Sequence, residues 1–147
     1  MVSAWHGWGP DVESSRAKGI SCVVDTEVVI DFLRQHDYAR ELLEHWAREG
    51  LLAISTLTHA EIYHGMKSRE EEATTAFLDG IMSVAVDVPI ARRAGRLLGG
   101  LSSRGVTVGI TDAVIAATAV QLAVPLLTNN IEHYPFPDLK VVRGLDI

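Results

Sequence analysis

Short apolar runs alternate along the chain with longer stretches in which apolar residues recur at helical spacing. Residues 21–24 are apolar and rich in β-branched side chains, and Val28, Val29, Phe32 and Leu33 then recur every three or four positions. A run of the first kind predicts a buried strand, and a repeat of the second kind predicts an amphipathic helix. From residue 21 onward the pattern therefore opens with a strand followed by a helix.

The same alternation continues to the end of the chain. Further strands are predicted at residues 51–54, 83–88, 125–128 and 139–142, and further helices at 38–48, 56–66, 69–81, 89–105 and 112–123. Strands that alternate with helices predict a parallel sheet covered on both faces. We expect an α/β fold, a three-layer sandwich over residues 19–147, with a central, mainly parallel sheet of about four to five strands.

Composition restricts the class of function. The chain has 147 residues, enough for one domain with a core, and its 13 Lys and Arg against 19 Asp and Glu give a net charge of -6. This charge argues against a protein that coats nucleic acid through a basic surface. The single cysteine, Cys22, excludes a disulfide framework within the chain and a cysteine-based zinc site.

The sequence also bears on where the protein works. No run approaches the ~20 apolar residues of a membrane-spanning helix. Residues 1–18 carry neither the basic start nor the apolar stretch of a secretory signal. We expect a cytoplasmic protein without a membrane partner.

Three acidic residues fall where a new element begins. Asp25 directly follows the first strand, Glu61 lies near the start of the helix over residues 56–66, and Asp112 opens an apolar helix. Each has a purely structural explanation. Asp25 can cap the following helix, Thr58 and Glu61 have the spacing of a capping box, and Asp112 suits the positive end of a helix dipole. The Thr128 hydroxyl could hydrogen-bond a carboxylate of the site or cap a helix, and we expect it to cap a helix.

Taken together, the three acids indicate a metal site. In parallel α/β sheets ligands bind beyond the carboxyl ends of the strands, and the fold would bring Asp25, Glu61 and Asp112 to that edge. Like charges gathered there repel one another, and an oxygen-seeking cation removes the conflict. Mg²⁺ is typically held by one or two carboxylates together with water and phosphate oxygens.

The chain also carries four motifs in a fixed order. They are residues 23–26 with 30–33, residues 55–58 with 60–62, residues 109–113 with 115–119, and residues 127–130 with His133 and Tyr134. In this order they resemble the PIN domain family and, within it, the VapC-type toxins of bacterial toxin–antitoxin pairs. The resemblance covers about residues 21–147.

The resemblance implies hydrolysis of single-stranded RNA with Mg²⁺ or Mn²⁺, and neutralisation by a VapB-type antitoxin that covers the site. The family's first three acidic positions fall on Asp25, Glu61 and Asp112, which are the expected metal ligands. The fourth position, often an aspartate two places after the threonine, falls on Asn130. We expect Asn130 to lie in the catalytic site. Because its side chain is neutral where the family often has an aspartate, the site carries one negative charge less, and a second metal ion is less expected.

Two other classes of function stay open. The segment 25–27 after a strand imitates the nucleophile motif of haloacid-dehalogenase-type phosphoryl-transfer enzymes. That class needs a second aspartate where Glu27 stands, and a lysine, which is absent between Lys67 and Lys140. The neutral Asn130 instead favours a non-catalytic PIN-like interaction module. Release of phosphate from a small phosphoester would select the first alternative, and antitoxin binding without RNA cleavage the second.

The apolar content is high for a small monomer. Mean hydropathy is +0.17, although a body of this size has little interior in which to bury apolar side chains. We therefore expect an apolar surface that is covered in a homodimer, in addition to the surface that binds the antitoxin.

Residues 1–18 are predicted to be dispensable. They mix Trp5 and Trp8 with glycine, proline and charged residues, and they offer no periodic apolar face. A chain that starts at residue 19 should unfold at the same temperature as the full chain and keep its activity. Aggregation of the shortened chain in light scattering would contradict this expectation and would indicate that the two tryptophans cover apolar surface.

Overall fold

The computed structural model describes residues 19–144, so the N-terminal extension predicted at residues 1–18 lies outside the described part. The strands are β1 (Ile20–Val24), β2 (Leu51–Ser55), β3 (Met82–Val84), β4 (Leu126–Leu127) and β5 (Val141–Val142). The helices are α1 (Thr26–Leu33), α2 (Asp37–Glu49), α3 (Thr56–Gly65), α4 (Glu71–Gly80), α5 (Val88–Ser102) and α6 (Ile110–Leu122). Short 3-10 turns lie at Ser68–Glu70 and Ile131–His133.

The strands form one five-stranded sheet in the order β3-β2-β1-β4-β5. Every pair of neighbouring strands is parallel, so the predicted α/β fold with a mainly parallel sheet is confirmed. β1 lies in the centre, where Val23 is in register with Ala53 of β2 and Leu126 of β4. The residue that follows β1 therefore emerges in the middle of the carboxyl edge.

Helices cover both faces of the sheet. Neighbouring residues of a strand point to opposite faces, and accordingly Cys22 and Val24 pack with the apolar residues of α1 to α4. Val23 points the other way and packs with α5 and α6. The result is the expected three-layer sandwich with a core on each side. Burial raises the pKa of Cys22 to about 12, which keeps this thiol protonated.

Some element boundaries differ from the sequence-based predictions. The strand predicted over residues 83–88 is present only as Met82–Val84. The side chain of Asp87 accepts a hydrogen bond of 3.0 Å from the Ile90 amide and caps α5, which diverts the chain out of the sheet. The helix predicted over residues 69–81 is split, because the 3-10 turn Ser68–Glu70 precedes α4. No helix among residues 19–144 is long and apolar enough to cross a membrane.

Gly50 joins α2 to β2 at a point where two backbone segments touch. A Cβ atom on Gly50 would lie 2.5 Å from the Gly19 carbonyl oxygen and 3.0 Å from the Ser21 Cβ. Gly95 is the matched control, because it lies in an exposed stretch of α5 and a Cβ there meets nothing within 4 Å.

We expect Gly50→Ala to lower the free energy of unfolding by about 1–3 kcal/mol, because either the carbonyl or β1 must shift. Gly95→Ala should raise it by about 0.5–1 kcal/mol, since alanine is the better helix former. Urea unfolding measures both changes. Unfolding of Gly50→Ala at the same urea concentration as the parent protein would disprove the close approach.

Candidate active site

Asp25 occupies the centre of the carboxyl edge, directly after β1, and only 5% of it is exposed. Its Oδ1 accepts hydrogen bonds from the Thr26 amide at 2.9 Å and from the Tyr134 hydroxyl at 2.8 Å. Its Oδ2 accepts one from the Thr128 hydroxyl at 2.7 Å. Asp25 is therefore the N-cap of α1 and also the point at which three segments of the chain meet.

Glu61 reaches this edge from α3. Its Oε1 accepts a hydrogen bond of 2.6 Å from the Thr26 hydroxyl, which also lies 3.0 Å from the Thr58 hydroxyl. Thr26 thus contacts Asp25 through its amide and Glu61 through its side chain. The alternative that Thr58 and Glu61 form a capping box is wrong, because α3 is capped by Ser55, whose hydroxyl accepts from the Leu57 amide at 3.1 Å.

Asp112 lies in the first turn of α6, with its Oδ1 3.4 Å from the Tyr134 hydroxyl. The same hydroxyl is only 2.8 Å from Asp25. A hydroxyl has one proton to donate, so it favours Asp25 and leaves Asp112 the weaker contact. The other oxygen of Asp112 lies 3.7 Å from Nδ1 of His133. No role was predicted for Tyr134 from the sequence, although the residue belongs to the motif formed by residues 127–130 with His133 and Tyr134.

Asn130 lies at the same edge but contacts a different acid from those predicted. Its side-chain amide donates a hydrogen bond of 2.6 Å to Oε2 of Glu27. Its backbone amide donates to the Thr128 hydroxyl at 3.0 Å. The expectation that Thr128 merely caps a helix is wrong, because its hydroxyl holds Asp25. Glu27 is a further carboxylate beside the site. The sequence-based prediction named it only as a departure from the haloacid-dehalogenase motif.

The acids carry negative charge that the surroundings offset poorly. Burial raises the pKa of Asp112 above its ordinary value; His133 opposes this shift, the charge of Asp25 adds to it, and the hydrogen bond from Tyr134 opposes it. Burial also raises the pKa of Tyr134, and the charge of Asp25 adds to that shift, which keeps the hydroxyl protonated as a donor. In the part of the chain that the structure describes, the ion pairs found for the site acids involve only His133.

The donor set fits a divalent cation, although the side chains are not arranged around one. Among residues 19–144, no three His, Cys, Asp or Glu side chains stand close enough together to hold a metal ion. The hydroxyls of Thr26, Thr128 and Tyr134 instead donate hydrogen bonds to the carboxylate oxygens. The oxygens of Asp25 and Asp112 nevertheless converge on one hydroxyl, and hard carboxylate oxygens of this kind are what Mg²⁺ or Mn²⁺ binds.

Asp25 and Asp112 should differ in what they contribute to stability without metal. Asp25→Asn should lower the free energy of unfolding by about 1–3 kcal/mol, because an amide cannot accept from all three donors. Asp112→Asn should leave stability unchanged or higher, since it removes an ionised group whose folded-state pKa is raised.

The sign of the pH dependence follows from that raised pKa. An ionised Asp112 costs stability above its folded-state pKa, and the cost disappears as the pH falls and the carboxyl is protonated. The difference in melting temperature between Asp112→Asn and the parent protein should therefore shrink from pH 7 to pH 4 in EDTA. Equal losses of stability in Asp25→Asn and Asp112→Asn would contradict this assignment.

The sequence matches the family model described as PIN domain over residues 22–138. Ribonuclease VapC19 of Mycobacterium tuberculosis is 35% identical over 120 residues, which cover 80% of this chain and 96% of that protein. Ribonuclease VapC10 of the same organism is 34% identical over 119 residues, which cover 80% of this chain and 90% of that protein.

Solved structures show the same fold. One chain of a toxin–antitoxin complex from Klebsiella pneumoniae superposes with a TM-score of 0.72 at 28% identity, covering 86% of this chain and 100% of that chain. A chain of VapBC2 from Rickettsia felis, bound to a DNA fragment from its promoter, gives a TM-score of 0.74 at 23% identity, covering 84% and 98%. At that lower identity the likeness shows the fold alone.

Proposed function

The chain belongs to the PIN domain family, and we propose that it is a metal-dependent endoribonuclease toxin inhibited by a cognate VapB-type antitoxin. The two mycobacterial relatives are both named as ribonucleases and match over most of their length. The structure from Klebsiella pneumoniae is a toxin–antitoxin complex. The observation that supports catalysis in this chain most strongly is the convergence of Asp25 and Asp112 on the Tyr134 hydroxyl.

Asp25, Glu61 and Asp112 are the residues that would hold Mg²⁺ or Mn²⁺. When bound, the cation would activate water as the nucleophile and offset the negative charge that develops on the phosphate. Thr26 orients Glu61 relative to Asp25, and Thr128 fixes the second oxygen of Asp25. These hydroxyl contacts position the carboxylates before substrate arrives.

The chain's own charge also makes the cation necessary for binding RNA. The site presents carboxylates on a protein of net charge -6, and such a surface repels a phosphodiester. The same carboxylates can approach a phosphate only when their charge is offset. Binding of substrate and binding of the cation should therefore be coupled.

Self-association and a cytoplasmic location belong to the same proposal. Ile110, beside the site at the start of α6, is 69% exposed, and Val88 at the start of α5 is 58% exposed. Exposed apolar side chains of this kind support a homodimer or a surface that the antitoxin covers. A cytoplasmic location agrees with an RNA substrate and with Cys22, the single cysteine of the chain, which is a free thiol. The family match leaves the haloacid-dehalogenase-type alternative without support.

Cleavage of labelled single-stranded RNA tests the proposal. Cleavage should require Mg²⁺ or Mn²⁺ and stop in EDTA. Glu61→Gln should slow it by about 100-fold or more, because a carboxylate that holds the cation contributes several kcal/mol to transition-state stabilisation.

Asp79→Asn is a matched control, because it removes one exposed carboxylate just before β3 begins, at the opposite edge of the sheet from the site. It should cleave RNA at the parent rate. Cleavage that persists in EDTA, or an equal loss in Asp79→Asn and Glu61→Gln, would refute the proposed function.

A further inference from the structure

The turn after β4 holds two carboxylates at once. The Thr128 hydroxyl donates to Asp25 at 2.7 Å and accepts from the Asn130 amide at 3.0 Å. The Asn130 side chain then donates to Glu27 at 2.6 Å. Glu27 lies two residues after Asp25, in the first turn of α1. A continuous chain of contacts therefore links the two carboxylates through Thr128 and Asn130 of a single turn.

Asn130 determines where the Glu27 carboxylate lies. An amide side chain can donate to a carboxylate, whereas an aspartate at the same place would set one carboxylate against another. The neutral residue at position 130 is thus matched to the acid at position 27. The negative charge that Asn130 does not carry is present on its hydrogen-bond partner.

The electrostatics agree that Glu27 belongs to the same cluster. Although Glu27 is exposed, partial burial raises its pKa, and the charge of Asp25 raises it further. His133, the residue that also faces Asp112, acts in the opposite direction, Asp31 adds to the increase, and the hydrogen bond from Asn130 opposes it. Glu27 therefore interacts with two of the groups that define the candidate site.

We propose that Glu27 is a fourth carboxylate of the cation site, held by Asn130 and serving in place of an acid at position 130. This inference rests on the proposed function, because it assigns a residue to the same metal site. Glu27 increases the negative charge presented to the cation and extends the site beyond Asp25 along the first turn of α1.

A simpler explanation is that Glu27 only stabilises α1 through the helix dipole, as acids in a first helical turn do. That explanation predicts a loss of stability on neutralisation and no change in metal affinity. The two accounts therefore differ in a quantity other than catalytic activity.

The experiment is calorimetric titration of the full chain with Mn²⁺, for the parent protein, Glu27→Gln, Glu132→Gln and the double variant Glu27→Gln/Asn130→Asp. Glu27→Gln keeps an oxygen that can accept from Asn130 and removes only the charge. Glu132→Gln removes a charge from the exposed neighbouring turn Ile131–His133 and controls for general attraction of the cation. Thermal unfolding in EDTA confirms that each variant is folded.

Glu27→Gln should weaken Mn²⁺ binding by about 10- to 100-fold, because hydrogen bonds through Asn130 connect Glu27 to the candidate site. Glu132→Gln should weaken it by less than about threefold. The double variant should recover most of the loss, since it moves the carboxylate to the other partner of the same hydrogen bond. Unchanged affinity in Glu27→Gln, an equal loss in Glu132→Gln, or no recovery in the double variant would overturn the inference.

The outcomes also separate this inference from the proposed function. If the parent protein binds Mn²⁺ and cleaves RNA while Glu27→Gln does both equally well, the inference fails and the nuclease assignment stands. If the parent protein binds no Mn²⁺ and cleaves no RNA, both fail together.

Discussion

The buried carboxylate of Asp25 is the interaction on which the rest of this structure depends. It accepts from the Thr26 amide, the Thr128 hydroxyl and the Tyr134 hydroxyl, so that one side chain joins the start of α1, the end of β4 and the segment after the Ile131–His133 turn. Thr128 and Tyr134 follow Asp25 by 103 and 109 positions in the chain. Asp25 therefore caps α1 and is also a residue of the candidate site.

Asp25 and Asp112 differ in how well their surroundings stabilise the ionised carboxylate. Three hydrogen bonds stabilise the Asp25 carboxylate, whereas Asp112 has one long contact to Tyr134 and an exposed histidine 3.7 Å away. Burial raises the pKa of Asp112; His133 and the hydrogen bond from Tyr134 oppose this shift, and the charge of Asp25 adds to it. Under the proposed function, a bound cation would offset the negative charge of these two carboxylates. The hydroxyls that separate the acids hold them in place and can give way to a stronger ligand.

Much of this could be predicted from the sequence. The alternation of strand and helix patterns fixes which residues follow strands, and parallel strands place those residues at one edge. The spacing of Thr58 and Glu61 is that of a capping box, but Ser55 is the residue that caps α3. The strand β3 was predicted too long because Asp87 caps α5 and so lies outside the sheet. The pairing of Glu27 with Asn130 was invisible because 103 positions separate the two residues and a single sequence carries no signal for such a contact.

Diffraction from crystals grown with Mn²⁺ would establish whether Asp25, Glu61 and Asp112 form one cation site. Anomalous scattering locates manganese without reference to activity. We expect a manganese peak at the carboxyl edge of the sheet, bound by oxygens of Asp25 and Asp112, with the Tyr134 hydroxyl no longer shared between them. Active protein whose crystals show manganese elsewhere, or none at this edge at saturating concentration, would disprove a cation site formed by these acids.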